Sequence, residues 1–302
     1  MTKKVALVTG AAGFVGSNLC EALIKKGYTV TGVDNLSTGR IEYIMGLDMA
    51  FFEGSVTDLT FMRPLFEGVD YVFHQAALPS VPRSINDPLA SNNANVNGTL
   101  KVLVAARDAG VKKVIYASSS SVYGDSIQLP KNEDMVTRPM SPYAVSKLAG
   151  ENYCMAFKKV YGLETVALRY FNVFGRHQTA HSSYSAVIPL FVKALMEGTN
   201  PVIFGDGKTS RDFTYIKNVV DANILFAEND ATGIYNIACG ERHSLNELVK
   251  MIAVTIDKPY KITYNEERVG DVKHSLADIS KAESKGYKPK YNLKKGLEDL
   301  LL

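Results

Sequence analysis

The sequence has few cysteines and no long apolar run. Cys20, Cys154 and Cys239 lie far apart in the chain and form no C-x-x-C pair. This usage argues against a disulfide framework and is typical of reduced, buried thiols in a reducing compartment. A membrane-spanning helix needs about 18 consecutive apolar residues, and no stretch of the chain reaches that length. We therefore expect a cytoplasmic protein with no membrane partner.

Excess charge of either sign is also missing. The chain has 34 Lys and Arg against 31 Asp and Glu, and no basic block is longer than a pair. This balance argues against a nucleic-acid partner and leaves room for a small anionic ligand. The five histidines show no metal-ligand spacing, so we predict no metal site. With 302 residues and 46% hydrophobic content, the chain can bury a substantial core.

A glycine-rich turn follows the first strand-like run. Residues 4–9 (K-V-A-L-V-T) suit a strand buried on both faces, and G-A-A-G-F-V-G follows at 10–16. A helical stretch then ends near Gly27, and a second strand over 28–33 leads into Asp34. In a β-α-β unit such glycines allow a tight turn, close approach of a pyrophosphate and close packing of helix on strand. The pattern predicts a dinucleotide site.

Asp34 indicates which dinucleotide is bound. It lies 18 residues after Gly16, at the end of the second strand. A carboxylate at this place accepts hydrogen bonds from the adenosine ribose and repels a 2′-phosphate, which favours NAD over NADP. Arg40 nearby points the other way, since an arginine can bind a 2′-phosphate.

Further strand-like runs alternate with helical stretches. The runs lie at 49–53, 71–75, 113–118 and 165–170, and the helical stretches near 58–66, 89–109 and 142–160. This alternation predicts an α/β fold with a Rossmann-type doubly wound parallel sheet. After about residue 170 the pattern changes to loops, isolated strands and shorter helices. We expect an NAD-binding Rossmann domain over 1–170 and a smaller mixed α/β substrate-binding domain over 171–302, some segments of which return to the first.

The stretch S-P-Y-A-V-S-K at 141–147 puts a tyrosine and a lysine on one face of a helix start, because Ser141 can cap that helix. The strand before it ends at the carboxyl edge of the sheet, where ligands bind and where Ser119 emerges. A tyrosine with a pKa of about 10 is roughly a thousandth ionised at pH 7, so a working base needs its pKa lowered. The Lys147 ammonium, a nicotinamide charge and the helix N-terminus could lower the pKa of Tyr143. Taken singly, each pattern also fits an amphipathic helix or a serine-rich turn.

The glycine turn, Ser119 and Tyr143-x-x-x-Lys147 together resemble the extended short-chain dehydrogenase/reductase family. Four segments resemble UDP-sugar 4-epimerases, most of all UDP-N-acetylglucosamine 4-epimerases: H-Q-A-A-L-P-S-V-P-R-S-I-N-D-P (74–88), R-Y-F-N-V-F-G (169–175), F-G-D-G-K-T-S-R-D-F (204–213) and R-V-G-D-V-K-H-S-L-A-D (268–278). The resemblance implies a homodimer formed through the helices near 89–109 and 142–160. It also implies a redox-neutral reaction, in which Tyr143 removes the 4-hydroxyl proton, hydride passes to NAD+, and the 4-keto sugar turns over before taking the hydride back.

The same resemblance assigns roles to individual residues. Ser119, Tyr143 and Lys147 would be catalytic. The cofactor-binding set would be Gly10, Gly13, Phe14, Val15, Gly16, Asp34, Asn35, Ser37, Gly39, Ser55, Val56, Ala76, Ala77, Leu78, Asn95, Tyr143, Lys147 and Tyr170. The substrate-binding set would be Ser80, Arg83, Ser119, Ser120, Ser121, Tyr143, Asn172, Gln178, Val187, Arg211, Arg268, Asp271 and Ser275.

The position of Ser275 bears on the sugar. In the resembled family the aligned residue lies beside the hexose C2 group, and a small residue there admits an acetamido group. We expect UDP-GlcNAc and UDP-GalNAc to fit, without exclusion of UDP-Glc and UDP-Gal, because a roomy pocket rejects a smaller ligand weakly. The sequence departs from the family at Ser55, where an adenine-binding Asp is usual, and at T-A-H-S-S (179–183), which replaces a more polar loop.

Other functions on the same fold remain open. A sugar 4,6-dehydratase would need an acid and a base directly after the catalytic hydroxyl residue, where this chain has Ser120 and Ser121. A UDP-glucuronate epimerase or decarboxylase is a further alternative, although a decarboxylase would want a glutamate in that turn. The last alternative is a non-catalytic protein that binds NAD or a nucleotide sugar. The intact Ser119, Tyr143 and Lys147 argue against it.

Overall fold

The computed structural model describes residues 3–178, 186–267 and 273–302. The strands, in chain order, are β1 (Val5–Thr9), β2 (Thr29–Asp34), β3 (Ala50–Glu53), β4 (Tyr71–His74), β5 (Lys113–Ser119), β6 (Glu164–Tyr170), β7 (Val173–Phe174), β8 (Val202–Phe204), β9 (Ser210–Arg211), β10 (Thr214–Tyr215), β11 (Gly233–Ile237), β12 (His243–Ser244) and β13 (Thr263–Asn265). The helices are α1 (Phe14–Lys25), α2 (Leu59–Met62), α3 (Val81–Asn86), α4 (Pro88–Asn92), α5 (Gly98–Asp108), α6 (Pro142–Tyr161), α7 (Val187–Met196), α8 (Ile216–Glu228), α9 (Leu245–Thr255), α10 (Ser280–Glu283) and α11 (Leu293–Leu301). None of these helices has both the length and the apolar character needed to cross a membrane.

Seven parallel strands form the central sheet in the order β11-β6-β5-β4-β1-β2-β3. The order reverses at β1, which pairs with β2 on one side and β4 on the other. In such a sheet the ligand crevice opens at the carboxyl ends of the strands on either side of the reversal. The predicted Rossmann-type fold is therefore confirmed.

Helices cover both faces of this sheet, which is why its strands are almost continuously apolar. On one face, Leu19 and Leu23 of α1 share a buried cluster with Phe226 of α8. On the other face, Val102 of α5 and Phe157 of α6 belong to a second buried cluster. The central strands are thus packed on both faces, which fixes the position of their carboxyl ends.

The predicted strands agree with the structure within one residue at either end, and the predicted helices differ more. The stretch predicted near 89–109 is divided into α4, a π-helical turn over Asn93–Asn97, and α5. The stretch predicted near 58–66 is a turn of α-helix in α2 followed by a 3₁₀ helix over Arg63–Phe66. Cys20 and Cys154 are buried thiols as expected, whereas Cys239 is only partly buried.

The chain after residue 170 contributes one strand to the central sheet and forms three short strand pairs of its own. Helix α8 and strand β11 return to the central sheet, where β11 pairs with β6. The remaining strands form short pairs, β7 with β10, β9 with β12, and β8 with β13. Strand β7 begins at Val173, just after the carboxyl end of β6, and helix α9 contacts both α7 and β12.

Candidate active site

The glycine turn between β1 and α1 has no room for side chains at two positions. Gly10 has a φ of +71°, and a Cβ there would lie 2.7 Å from the backbone nitrogen of Ala76. A Cβ on Gly16 would lie 2.0 Å from the carbonyl oxygen of Gly10. Helix α1 begins after Gly13 with no side-chain cap, so the first N–H groups of the helix, including those of Phe14 and Val15, have no side-chain acceptor. Such a close-packed turn with free helix N–H groups fits a pyrophosphate.

Asp34, at the end of β2, is anchored against this turn. Its carboxylate accepts hydrogen bonds from the backbone nitrogens of Ala12 at 3.0 Å and Leu36 at 2.8 Å. Burial raises the pKa of Asp34, and these backbone hydrogen bonds oppose the rise. A Cβ on Gly39 would lie 2.9 Å from both carboxylate oxygens, so the predicted Gly39 lies directly on Asp34. Arg40 is exposed beside this loop.

The loops on either side of Asp34 bring together further predicted cofactor residues. The side-chain oxygen of Asn35 accepts a hydrogen bond from the Ser37 hydroxyl at 2.7 Å. On the other side, Gly54 donates its N–H to the carbonyl of Asp34 at 3.0 Å, which places Ser55 next to the carboxylate strand. The Ser55 hydroxyl is within 2.8 Å of the Thr57 hydroxyl. Ser55 therefore shapes its own turn, where the resembled family has a carboxylate.

Asn95 fixes the loop that follows β4. It is buried in the π-helical turn, and its side chain accepts from the Leu78 nitrogen at 2.8 Å and donates to the Ser146 hydroxyl at 2.9 Å. The loop that contains Ala76, Ala77 and Leu78 is thereby tied to α6. Val56 lies at the neighbouring edge, against Gly98. The structure thus groups these predicted residues at the carboxyl ends of β1, β2 and β4.

Behind this loop is a buried histidine whose partners sequence reasoning missed. The Nδ1 of His74 lies 2.7 Å from the Thr9 hydroxyl, and its Nε2 lies 2.9 Å from the Thr99 hydroxyl. Thr99 donates its own proton to the carbonyl of Asn95 at 2.6 Å, so His74 carries its proton on Nε2. Burial lowers the pKa of His74 to about 3, and the charge of Lys147 adds to the fall. His74 is therefore a neutral structural residue.

Ser119, Tyr143 and Lys147 meet at the carboxyl end of β5. Ser119 is the last residue of β5, and Tyr143 lies in the first turn of α6, which Ser141 caps by accepting from the Ala144 nitrogen at 3.2 Å. The hydroxyl of Ser119 hydrogen-bonds the Tyr143 side chain. The Nζ of Lys147 lies 5.9 Å from the centre of the Tyr143 ring and donates to the carbonyl of Ala117 at 2.8 Å. The three predicted catalytic side chains thus form one group.

The electrostatics of this group differ from the expectation. Burial raises the pKa of Tyr143 above 10, and the hydrogen bond from Ser119 opposes the rise without reversing it. Burial also lowers the pKa of Lys147 to about 8, against the pull of the Glu151 carboxylate. The protein's own groups therefore do not lower the pKa of Tyr143, because a dry cleft costs the phenolate its hydration.

A buried ion pair lies behind the same group, and sequence reasoning missed it. Glu151, one turn after Lys147 in α6, accepts two hydrogen bonds from the Arg169 guanidinium, both at 2.8 Å. The Ser118 hydroxyl also donates to Glu151. Glu151 is 0% and Arg169 2% exposed. The i, i+4 spacing from Lys147 to Glu151 was the available signal, but the partner in β6 could not be read from it.

A cavity of about 330 Å³ is lined by the part of the chain after residue 170, beginning with Asn172, two residues after the end of β6. Four predicted substrate residues line it: Asn172, Gln178, Val187 and Arg211. Its walls are otherwise largely apolar, with Phe191, Ile203, Phe204 and Phe213 among them. The side-chain oxygen of Gln178 is buried and has no partner among the described residues. An aromatic and aliphatic cavity with a few polar groups suits a small organic ligand.

The segment around Ser275 is joined to the strand that holds Arg211. The Ser275 nitrogen donates to the carbonyl of Ser210 at 3.0 Å. Arg211 donates from Nη1 to the carbonyls of Ser210 at 3.0 Å and Lys273 at 3.2 Å. The predicted residues Arg268 and Asp271 lie outside the described residues, as does the loop at 179–183.

The other predicted residues lie around the catalytic group. Ser80 caps α3, in which Arg83 lies, and the Ser84 hydroxyl of that helix accepts from the Tyr143 nitrogen at 3.0 Å. Ser120 and Ser121 lie in a 3₁₀ turn, Ser120–Tyr123, and the Ser121 hydroxyl is buried without a partner among the described residues.

Tyr170 lies at the end of β6. Its hydroxyl is 3.2 Å from the side-chain oxygen of Gln75 and hydrogen-bonds the side chain of Asn223. Burial raises the pKa of Tyr170. The residue therefore links the ends of β4 and β6 with α8, beside the predicted cofactor residues.

Comparison with known proteins identifies the family. Residues 6–238 match the model of the NAD dependent epimerase/dehydratase family. A putative UDP-glucose 4-epimerase of Methanocaldococcus jannaschii is 37% identical, over 97% of this chain and 95% of its own length. A solved structure of UDP-N-acetylglucosamine 4-epimerase from Methanobrevibacter ruminantium, in complex with UDP-N-acetylmuramic acid, is 41% identical with a TM-score of 0.96, over 99% of this chain and 97% of its own. UDP-glucose 4-epimerase of Thermotoga maritima with UDP-glucose is 36% identical with a TM-score of 0.94, over 98% and 97% of the two chains.

These matches agree with the arrangement of the site. They confirm the predicted resemblance to UDP-sugar 4-epimerases, the isomerase class and the NAD cofactor. The glycine turn, the anchored Asp34 and the Ser119, Tyr143 and Lys147 group are all parts that such an enzyme requires. The protein belongs to the NAD dependent epimerase/dehydratase family.

Proposed function

We propose that this protein interconverts the 4-epimers of a UDP-hexose, with UDP-GlcNAc and UDP-GalNAc as expected substrates and UDP-Glc and UDP-Gal as further ones. The observation that carries the proposal is the group of Ser119, Tyr143 and Lys147 at the carboxyl end of β5, in a chain that also has the glycine turn and a 330 Å³ cavity lined by Asn172 and Arg211. In this arrangement the Tyr143 hydroxyl would take a proton from the sugar, and the cofactor would accept the hydride. The Ser120 and Ser121 side chains offer neither the acid nor the base that a dehydratase would need beside it.

NAD fits the residues of the first half of the chain. Gly10, Gly13 and Gly16 would let the pyrophosphate approach the start of α1, and Asp34 would accept from the adenosine ribose. The Ala76 to Leu78 loop, held by Asn95, would line the dinucleotide. The further members of the predicted set, from Asn35 to Val56 and Tyr170, would surround the adenosine and nicotinamide ends. Bound NAD+ would supply the acceptor for the hydride from C4 and, once reduced, the donor that returns a hydride.

The protein's own residues move and hold the proton. Tyr143 takes the proton of the 4-hydroxyl group and returns it once the sugar is reduced again. Ser119 would hydrogen-bond the reacting oxygen, and Lys147 would hold the nicotinamide ribose. Because burial raises the pKa of Tyr143, the phenolate forms readily only beside the cofactor's positive charge. The base would thus be active only when the dinucleotide is in place.

The cavity would take the uridine diphosphate and the sugar. Arg211 and Arg268 would bind the two phosphates, since guanidinium groups bind phosphate bidentately. Asn172 and Asp271 would bind the uridine and its ribose, and Gln178 and Val187 would line the pocket. Ser80, Arg83, Ser120, Ser121 and Ser275 would surround the hexose, with the small Ser275 leaving room for an acetamido group. The support for this arrangement is the joining of the Ser275 segment to the Arg211 strand.

The test is an incubation of purified protein with UDP-GlcNAc, without added reductant, followed by proton NMR. We expect UDP-GalNAc to appear at the expense of UDP-GlcNAc, and Tyr143→Phe to abolish the conversion while retaining the far-UV circular dichroism of the wild type. A comparison of kcat/KM on UDP-GlcNAc and UDP-Glc then ranks the sugars. No 4-epimer from either substrate would contradict the proposal.

We also propose a homodimer and a two-part chain. Three apolar side chains are exposed on neighbouring helices, with Ile85 62%, Leu89 81% and Val145 52% exposed, and a second copy of the α4, α5 and α6 face would cover them. Residues 1–170 would hold NAD and 171–302 the UDP-sugar, with α8 and β11 returning to the first part. The cytoplasmic location stays a prediction of the sequence.

A further inference from the structure

Asp212 is a fully buried acid between β9 and β10. Its carboxylate accepts hydrogen bonds from three backbone N–H groups: Cys239 at 2.9 Å, Gly240 at 3.0 Å and Ala277 at 3.2 Å. Its side chain is 0% exposed. The three backbone donors hold this buried carboxylate in one position.

The partners of Asp212 belong to the parts of the chain that surround the substrate cavity. Ala277 lies two residues after Ser275, and Cys239 and Gly240 follow the end of β11. The carbonyl of Asp212 accepts from the Asn172 side chain at 2.9 Å. Asp212 itself follows Arg211 directly in the chain. One residue therefore joins Asn172, the Arg211 strand and the Ser275 segment.

Several titratable groups surround this carboxylate. Cys239 and Glu241 lie in the loop after β11, Tyr287 approaches from the segment after α10, and Arg211 precedes it in β9. His274 is in the same network, with its Nδ1 2.8 Å from the Ser210 hydroxyl. Burial raises the pKa of Asp212 to about 7, the three backbone hydrogen bonds lower it, and Glu241 raises it further. Asp212 is thus the buried acid of this network whose pKa burial raises towards neutral pH.

Protonation would change what Asp212 can hold. All three neighbours donate, so a carboxylate satisfies them, whereas a carboxylic acid adds a fourth proton with no acceptor among those three groups. Protonation therefore weakens the link between the segment 273–277 and β9. A substrate that touches both Arg211 and Ser275 binds better when this link is intact.

We propose that Asp212 is a positioning residue whose ionised form holds the Ser275 segment against the Arg211 strand and so sets the affinity for the UDP-sugar. This inference rests on the proposed function. Asp212 does not touch the reacting atoms, so its effect falls on KM and leaves kcat nearly unchanged.

The size of the effect follows from proton linkage. With Asp212 at a pKa of about 7, a tenfold tighter binding of the UDP-sugar to the ionised form than to the protonated form makes the affinity at pH 6 about fivefold lower than at pH 8. The same preference for the ionised form releases about 0.4 proton per substrate bound at pH 7. UDP-sugars suit this measurement, because each of their phosphates carries one ester and one anhydride bond and has no group that titrates near neutral pH, whereas the terminal phosphate of UDP titrates near pH 6.

The experiment measures KM and kcat for UDP-GlcNAc between pH 6 and pH 8 in the wild type and in Asp212→Asn. We expect the wild-type KM to rise about fivefold as the pH falls, and the Asn variant to show a raised KM that no longer depends on pH. His274→Gln tests the other titratable group of the network and should keep the pH dependence. Asp70→Asn is the matched control, since Asp70 also accepts from a backbone nitrogen, that of Val5 at 2.8 Å, but at the opposite edge of the sheet.

A second readout covers the case in which Asp212→Asn does not fold. Titration calorimetry of wild-type protein with UDP-GlcNAc at pH 7, in two buffers of different ionisation enthalpy, should show the release of about 0.4 proton, falling to nearly zero at pH 8.5. Binding without proton release and a flat KM in the wild type would overturn the inference while leaving the proposed function intact. Loss of the pH dependence in His274→Gln would assign the effect to His274 instead. A protein that binds no UDP-sugar at any pH would contradict both proposals.

Discussion

At the scale of single residues, the site combines a tyrosine whose pKa burial raises with a lysine whose pKa burial lowers to about 8. The pKa of Tyr143 is raised and that of Lys147 lowered to about 8, both mainly by loss of hydration. The positions of these two residues could be predicted from Tyr-x-x-x-Lys and the capping Ser141, because helix geometry fixes them. The direction in which the pKa of Tyr143 shifts could not be predicted, because burial depends on residues far away in the chain.

The hydrogen bond from Ser119 gives a prediction at this scale. It stabilises the phenolate, so Ser119→Ala should raise the pKa of Tyr143 and move the acid limb of the kcat profile to higher pH. Loss of one hydrogen bond to a charged group predicts a fall in kcat of roughly tenfold to a hundredfold at pH 7. Ser119→Thr keeps the hydroxyl and should restore most of the rate. A Ser119→Ala profile with an unshifted acid limb would speak against this role.

The glycine turn gives a second prediction about a single residue. The added carbon of Gly16→Ala would lie 2.0 Å from the Gly10 carbonyl, so the turn has to open and NAD binding should be lost. In Gly13→Ala the added carbon lies 3.1 Å from the same oxygen, and a smaller loss of affinity is expected. Calorimetric titration with NAD+ measures both. Equal affinities in the two variants would argue against the steric explanation.

At the scale of secondary-structure elements, the positions of strands and the starts of helices could be predicted, and the links between elements could not. The apolar runs and the caps are local, which is why β1 to β6 and the start of α6 were found within a residue. The π-helical turn at Asn93–Asn97 depends on Asn95 reaching Leu78 and Ser146, which no periodicity reports. The link from Glu151 in α6 to Arg169 in β6 likewise joins residues 18 positions apart in the sequence.

That link should contribute strongly to stability. Glu151→Gln leaves the Arg169 charge buried without a carboxylate, which costs about 3–5 kcal/mol in the free energy of unfolding. The double variant Glu151→Leu with Arg169→Met removes both charges and should lose much less. Urea denaturation of the three proteins measures the difference. A double variant that is less stable than Glu151→Gln would show that packing, rather than charge, dominates at this place.

At the scale of the whole molecule, the exposed apolar side chains of α3, α4 and α6 predict how two copies associate. Leu89→Glu places a charge in the proposed interface and should yield monomers, because a buried unpaired carboxylate is costly. Val254→Glu, at a side chain that is 71% exposed in α9, is the matched control and should leave the association unchanged. Light scattering after size-exclusion chromatography distinguishes the two. A wild-type protein that is monomeric at micromolar concentration would contradict the proposed homodimer.

The pairing of β11 with β6 has a consequence for any attempt to divide the chain. Residues 1–170 by themselves would leave β6 as a bare outer strand, with unpaired backbone N–H and carbonyl groups along a length that is otherwise buried. We expect such a fragment to aggregate through that strand during expression. A soluble nucleotide-binding fragment would therefore have to retain Gly233–Ile237, for example by grafting that strand onto the shortened chain.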